Sequence, residues 1–423
     1  MSSRIVVVGG GTAGARLAER LPVTLLGEEP HTPYNRVLLA DVLAGRYGPE
    51  VIALPQPAGE PVRRGVRVTG IDRAARLVRC DDGSTVAYDR LVLATGSNPV
   101  LPPLRGLGNG RLPAGVHAFR TLDDCLALDG LVRPGVRAVV IGGGLLGVSA
   151  ARALAARGAE VMLAQQGEHL MERQLDAEAS ELLRDHLVSL GVEVHTECRV
   201  RGLRVASGAV DAVELADGFV LDADVVVLAC GVRPRIGLAV EAGLDVRRGI
   251  VVDDQLRTSD PYIHAIGDCA EHDGRIYGLA GAALEQADVL TDVLTGTTEA
   301  TEATEATGGT GGTGNISTTG STAATGTVTA AYRGTRALTR LSMDALELAA
   351  FGEAVPQPGD DTVRLTDATR SAYRKVVVRG DRLVGGVLLG DLGAVGTLAR
   401  AWEGDEALPD APLLHLLTHD GGS

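Results

Sequence analysis

The sequence predicts an α/β protein built from two copies of one parallel-sheet unit, followed by a smaller α+β unit. Three observations carry that expectation. An apolar run ending in a glycine turn occurs twice, as "VVVGGGTAG" at Val6 to Gly14 and "VVIGGGLLG" at Val139 to Gly147. Each copy closes on a related string, "DGSTVAYDRLVLATG" and "DGFVLDADVVVLACG", in which Asp82, Gly83, Asp89 and Gly96 match Asp217, Gly218, Asp224 and Gly231 at one constant offset. The last ninety or so residues alternate like strands around "YRKVVVRGDRLVGGVLLG" but hold no glycine turn of this kind.

The elements follow in order. The run "RIVVV" is strand-like, and "ARLAERL" after it has helical character. Between them Gly9, Gly11 and Gly14 form G-x-G-x-x-G, with Thr12 and Ala13 opening the helix. Glycines at that spacing allow a sharp turn, a close approach of backbone N–H groups to a pyrophosphate, and tight helix-to-strand packing. The positive end of the helix then faces the phosphates. Glu28 and Glu29 end the second strand, about the distance beyond Gly9 at which a carboxylate meets a ribose hydroxyl. Arg36 is a candidate phosphate or adenine contact. Ala94, Thr95 and Gly96 close the unit. The second copy offers Gly142, Gly144 and Gly147, with Leu145 opening the helix "VSAARALAARG", then Gln165 where the ribose acid would stand, and Gly231 at the close. A return segment, "LRTSDPYIHAIGDCAE", brings Gly267 and Asp268 after an apolar strand end.

Residues 1–112 are thus expected to be the first Rossmann-like unit, 113–235 the second, and 236–295 a return to the first. The stretch 296–330 is rich in Thr and Gly and cannot bury an apolar face, so a flexible insertion is expected there. Residues 331–423 form the third unit, a lid or an interface.

Composition narrows the function. A formal net charge of −14 argues against general nucleic-acid binding, which needs a basic surface. A small acidic electron carrier would need a local basic patch. Lys375 is the only lysine. The five cysteines are scattered and form no C-x-x-C, as suits a reducing cytoplasm. Met1 runs almost directly into the first strand without a leader pattern, and no apolar run has the length of a membrane span, so a cytoplasmic protein with no membrane partner is expected.

The glycine turns, "PYNR" at Pro33 to Arg36, "ATG" at Ala94 to Gly96 and "IGD" at Ile266 to Asp268 together resemble the two-dinucleotide-binding flavoproteins, whose fold is glutathione-reductase-like. The strings "EEPHTPYNRVLLADVLAG", "FRTLDDCLAL", "HLMERQLD" and "GDCAEHDGRIYGLAGAALEQA" look most like the FAD module of NAD(P)H-dependent assimilatory nitrite and nitrate reductases. The resemblance implies FAD in the first unit and NADH or NADPH in the second, with Asp268 accepting hydrogen bonds from ribityl or phosphate-linked groups. It assigns no catalytic acid or base, because hydride transfer needs stacked rings and positioning.

Two positions depart from the pattern. Gln165 and Gln166 replace the acid that would select NADH, and glutamine does not repel a 2′-phosphate, so both nicotinamide nucleotides stay open; Arg173 could meet such a phosphate. Related ferredoxin-reductase-like enzymes carry a lysine after "LS" near the flavin, where "LLAD" here places Ala40 and Asp41. The segment "YNRVLLADVLAG" lacks a cysteine, against disulfide-reductase or thiol-peroxidase chemistry. His415 and His419 have helical metal-pair spacing but lack the glutamate of H-E-x-x-H, and Trp402 is expected in a core.

The leading expectation is an FAD-dependent NAD(P)H oxidoreductase that serves an assimilatory nitrate or nitrite reductase. Its electrons would pass to an iron–sulfur or siroheme/molybdenum redox protein in trans, since the chain holds no cysteine pattern for such centres. Competing readings are a rubredoxin or ferredoxin reductase, an NAD(P)H oxidase, and a flavin-bearing redox sensor.

Overall fold

Short runs of Val, Leu and Ile suit strands that are buried on both faces, and the two glycine turns convert each first strand into a helix. In the computed structural model, which describes residues 3–55, 57–108, 112–296, 298–299, 328–336, 338–343, 345–367, 369–405, 407–409 and 412–417, these runs build two five-stranded parallel sheets. The first has the order Ile263–Ala265, Arg90–Leu93, Ile5–Val8, Thr24–Gly27, Arg63–Arg64. The return segment therefore supplies its edge strand, with Ile263 beside Leu91. The second sheet has the order Val192–His195, Glu160–Ala164, Arg137–Ile141, Val225–Leu228, Val116–Ala118.

Each unit carries a three-stranded antiparallel excursion at the same place. The first is Val68–Asp72, Leu77–Cys80 and Thr85–Ala87, and the second is Val200–Ala206, Ala209–Leu215 and Val220–Asp222. The likeness extends to ion pairs. Arg4 binds Asp89 at 2.9 Å, and Arg137 binds Asp224 at 2.8 Å, each arginine also donating its backbone N–H to the same carboxylate. Those hydrogen bonds hold both carboxyls down at about 2. Beyond the closing glycines, Ser97–Pro99 and Val232–Pro234 pair with each other as an antiparallel ribbon, with Asn98 opposite Arg233.

The helix Ala280–Thr295 returns across the first unit and lies on the helix Thr12–Arg20, where Arg16 and Arg20 each reach Asp288 at 2.8 Å. The third unit is a five-stranded antiparallel sheet in the order Thr339–Met343, Leu346–Gly352, Arg382–Leu389, Ala372–Arg379, Asp361–Asp367, backed by the helix Val395–Gly404. One face of this sheet joins the core of the second unit: Met343, Leu348, Tyr373 and Leu389 share a buried cluster with Val148, Leu154 and Leu183. Trp402 packs with Phe351, ring centroids 5.3 Å apart, in a separate core behind the sheet.

Most of the Thr/Gly-rich stretch, and His419, lie outside the described residues. The two ends of that stretch, Thr298–Glu299 and Val328–Thr329, pair antiparallel. A two-residue hairpin turn spans such a pair. Replacing residues 300–327 by Asn-Gly is therefore expected to leave flavin content unchanged and to shift the melting temperature by no more than about 2 °C. Loss of bound flavin in that variant would show that the removed residues contribute to the fold.

Candidate functional site

The two glycine turns have the same backbone. Gly9 and Gly142 adopt φ of +117° and +111°, a conformation that side chains rarely take. A Cβ on Gly14 would lie 2.0 Å from the Gly9 carbonyl oxygen, and one on Gly147 would lie 1.7 Å from that of Gly142, so both helices press against their own turns. The central glycines differ in kind. A Cβ on Gly11 or Gly144 would meet nothing within 4 Å, and neither helix start is capped by a side chain. Each turn thus offers a helix N-terminus facing open space, which fits a pyrophosphate.

The first turn opens into a cleft of about 430 Å³. Its lining includes Gly9, Gly11, Glu28, Glu29, Arg36, Ala94, Thr95 and Gly96, which brings eight expected residues to one place. Thr12 begins the helix, while Ala13 and Gly14 are buried below the turn. Gly267 follows the edge strand at φ +78°, with its Cβ position 3.2 Å from Ala13, and its N–H donates to Gln286 Oε1 at 2.7 Å. Asp268 sits in the short turn Gly267–Cys269 and accepts from Ser97 Oγ and Arg120 Nη2, both at 2.8 Å. That arrangement leaves Asp268 held from two sides rather than capping a helix.

Gly267 and Asp268 lie outside the lining of the cleft, whose own members are already engaged with one another. Glu29 accepts from Arg36 and, at 2.6 Å, from the Tyr34 hydroxyl; Arg36 also donates to Tyr34 Oη and the Arg120 carbonyl. Burial pushes the Tyr34 hydroxyl up, so it stays protonated and donates. Glu28 is bound at 2.5 Å by Arg235, which enters from the ribbon between the units. Arg120 and Arg235 line the cleft but were not among the residues singled out by sequence. Arg120 had a readable signal: Thr121 and Asp124 form a reciprocal capping box that fixes the start of the helix Leu122–Leu131, and Arg120 immediately precedes it. Arg235 had none, because its partner lies two hundred residues away.

In the second unit Gly142, Gly144, Leu145, Gly147 and Gly231 gather at the C-terminal edge of the parallel sheet. Gln165 turns inward: it accepts the Gly143 N–H at 2.8 Å and donates to the His169 carbonyl at 3.2 Å. Its amide braces the turn, and Gln166 and Arg173 are the exposed neighbours. Asp41, which stands where related enzymes carry a lysine, binds Arg152 of the second unit at 2.7 Å and Arg46 at 3.3 Å. Two cations are therefore present beside this helix, Arg46 from the same unit and Arg152 from the other. All five cysteines are free, and burial raises the thiols of Cys125 (to about 12), Cys198, Cys230 and Cys269, which keeps them protonated and unreactive. Among the described residues no three or more His, Cys, Asp or Glu side chains could hold a metal, and no helix is long and apolar enough to cross a membrane.

Two Rossmann-like units, each with an open glycine turn, with the chain returning to complete the first, fit a protein that binds two dinucleotides. Residues 3–287 match the family described as pyridine nucleotide-disulphide oxidoreductase, and residues 338–404 match the rubredoxin NAD+ reductase C-terminal domain. The chain belongs to the pyridine nucleotide-disulphide oxidoreductase family, with FAD as cofactor and NAD(P)H as reductant. It is 32% identical to the assimilatory nitrate reductase electron transfer subunit of Bacillus subtilis over 401 residues, 92% of this chain and 48% of that protein. It is 35% identical to the rhodocoxin reductase of Rhodococcus erythropolis over 322 residues, 70% of this chain and 72% of that one. The chain spans about half the length of the nitrate-reductase relative it matches. Its fold is similar to that of the putidaredoxin reductase–putidaredoxin complex, with a TM-score of 0.81 over 98% of each chain at 24% identity.

Proposed function

We propose that this chain is the electron-transfer flavoprotein of an assimilatory nitrate or nitrite reductase, accepting electrons from NAD(P)H and delivering them to a separate redox protein in the cytoplasm. The observation that carries this reading is the 32% identity to a nitrate reductase electron transfer subunit across 92% of the chain. FAD, when bound, supplies the conversion of a two-electron donor to one-electron transfers. The residues supply position. The Gly9–Gly14 turn would hold the FAD pyrophosphate, Glu28 or Glu29 its adenosine, and Asp268, steadied by Ser97 and Arg120, its ribityl side. The Gly142–Gly147 turn would hold the nicotinamide nucleotide.

Thiol relay finds no support, because the five cysteines are unpaired and none lies in "YNRVLLADVLAG". Nor do these cysteines form a C-x-x-C that would carry an iron–sulfur or siroheme acceptor, and we place the acceptor centre outside these residues. The match of residues 338–404 to a rubredoxin reductase domain favours a second reading, in which the acceptor is a rubredoxin or ferredoxin of general metabolism. Purified holoprotein should reduce artificial dyes with NAD(P)H and leave nitrate and nitrite untouched until the cognate reductase is added. Nitrite consumption by the flavoprotein alone would overturn the division of labour. A deletion strain that grows normally on nitrate as sole nitrogen source would favour the rubredoxin or ferredoxin reading.

A further inference from the structure

The only lysine in the chain is buried where the third unit meets the second. Lys375, on the strand Ala372–Arg379, donates from Nζ to Asp176 Oδ2 at 2.6 Å, and the Tyr373 hydroxyl donates to the same oxygen at 2.8 Å. The other Asp176 oxygen caps the helix Ala177–Ser189 by accepting the Ala179 N–H at 3.0 Å. Burial works to raise the Asp176 carboxyl, but the Lys375, Ala179 and Tyr373 hydrogen bonds outweigh it and hold it below the usual carboxylate range. A second tie crosses the same interface, from Arg364 to Glu178.

Asp176 ends the loop that begins at Gln165, and this loop rests on the second glycine turn. The Gly143 N–H donates to Gln165 Oε1, and the Met171 N–H donates to the Gly143 carbonyl at 2.9 Å. Leu170 Cδ2 lies 2.6 Å from where a Gly143 Cβ would stand. Met171 adopts φ +51°, a left-handed conformation that a residue with a side chain keeps only when its surroundings hold it there. Leu175 and Gln174 bond back to the Met171 carbonyl, at 2.9 and 2.8 Å, so the route from Asp176 to Gly143 is a short run of hydrogen-bonded backbone.

We propose that Lys375 is a positioning residue for the nicotinamide nucleotide: by anchoring Asp176 it fixes the 165–176 loop, and through that loop the Gly142–Gly147 turn that receives the nucleotide's phosphates. The inference rests on the reading of the second unit as the reductant site. It gives the third unit a role in reductant binding besides that of a cover or interface.

The test is titration of oxidised holoprotein with NAD+, followed through the flavin spectrum, alongside steady-state kinetics and thermal melting. Lys375→Met should weaken NAD+ binding and raise KM for NAD(P)H about tenfold, the loss expected of one buried charged hydrogen bond, with kcat changed less than about twofold and full FAD content. Lys375→Arg keeps a donor for Asp176 and should recover most of the affinity. Asp176→Asn keeps the helix cap but not the charge, and should reproduce the methionine variant even if that one folds poorly. Unchanged NAD+ affinity in both Lys375→Met and Asp176→Asn, with only a lower melting temperature, would reduce the lysine to a structural contact and overturn the proposal. Wild-type holoprotein that neither binds NAD+ nor is reduced by NAD(P)H would instead remove the assignment of the second unit, and the proposal with it.

Discussion

Gly11→Val is expected to give a folded protein without its yellow cofactor. The backbone at Gly11, φ −76° and ψ −172°, is ordinary for any residue, and the added side chain would point into space where no protein atom stands within 4 Å. The fold therefore has no reason to fail. On the proposed assignment, what the branched side chain displaces is the ligand, because it fills the position from which the backbone would approach the FAD pyrophosphate. An affinity loss of at least about 100-fold, roughly 2.7 kcal/mol, follows from losing close N–H contacts to a charged group. Absorbance of the purified protein near 450 nm against its protein content measures this directly, and circular dichroism checks the fold. Gly14→Val is the contrasting control: its Cβ would collide with the Gly9 carbonyl oxygen at 2.0 Å, so it should lose fold and flavin together. Full flavin in Gly11→Val would mean that the first turn does not hold the cofactor.

Gly144→Val should separate the two nucleotides. The same geometry recurs, φ −77° and ψ −177° with open space ahead, but in the other unit. The variant should keep its FAD and its melting temperature. Reduction by NAD(P)H, followed by stopped-flow bleaching of the flavin, should slow by on the order of 100-fold at subsaturating nucleotide. Dithionite, which needs no nucleotide site, should reduce it at the wild-type rate. An emptied flavin site in Gly144→Val, with normal reduction of whatever holoprotein survives, would show the two units to be assigned in reverse.

The parts of this site that were legible in the sequence are those written within a few residues. Gly9, Gly11 and Gly14, and their second copies, are readable because the turn demands glycine at fixed offsets. Asp268 is readable because it follows an apolar strand end. The contacts that complete the cleft are not local. Arg120 reaches Asp268 across 148 positions, and Arg235 reaches Glu28 from the ribbon joining the two units. Gln165 shows a different limit. Its position identifies the place where a ribose acid would stand, yet only coordinates reveal that its amide is bound to Gly143 and His169. Asp41 likewise reads as the loss of a lysine, while the structure shows Arg152 brought beside it from the second unit. In the third unit the two strands of "YRKVVVRGDRLVGGVLLG" were legible, but Thr339–Met343, Leu346–Gly352 and Asp361–Asp367, the strand order, and the burial of one sheet face against the second unit were not.

The ribbon formed by Ser97–Pro99 and Val232–Pro234 has one more property. The two strands follow the closing glycines Gly96 and Gly231, so Asn98 and Arg233 occupy equivalent places in the two copies, and they face each other across the ribbon. An antiparallel pair that matches a position with its own counterpart has a local two-fold axis at its centre. This is the isologous contact by which identical protomers form a C2 dimer. Here both sides lie on one chain, so the symmetry that such a dimer imposes is lifted. One side carries asparagine and the other arginine; one closing turn holds Thr95 and the other Cys230. Covalent linkage lets two halves of common design keep a dimer's geometry while the sequence of each is free to diverge.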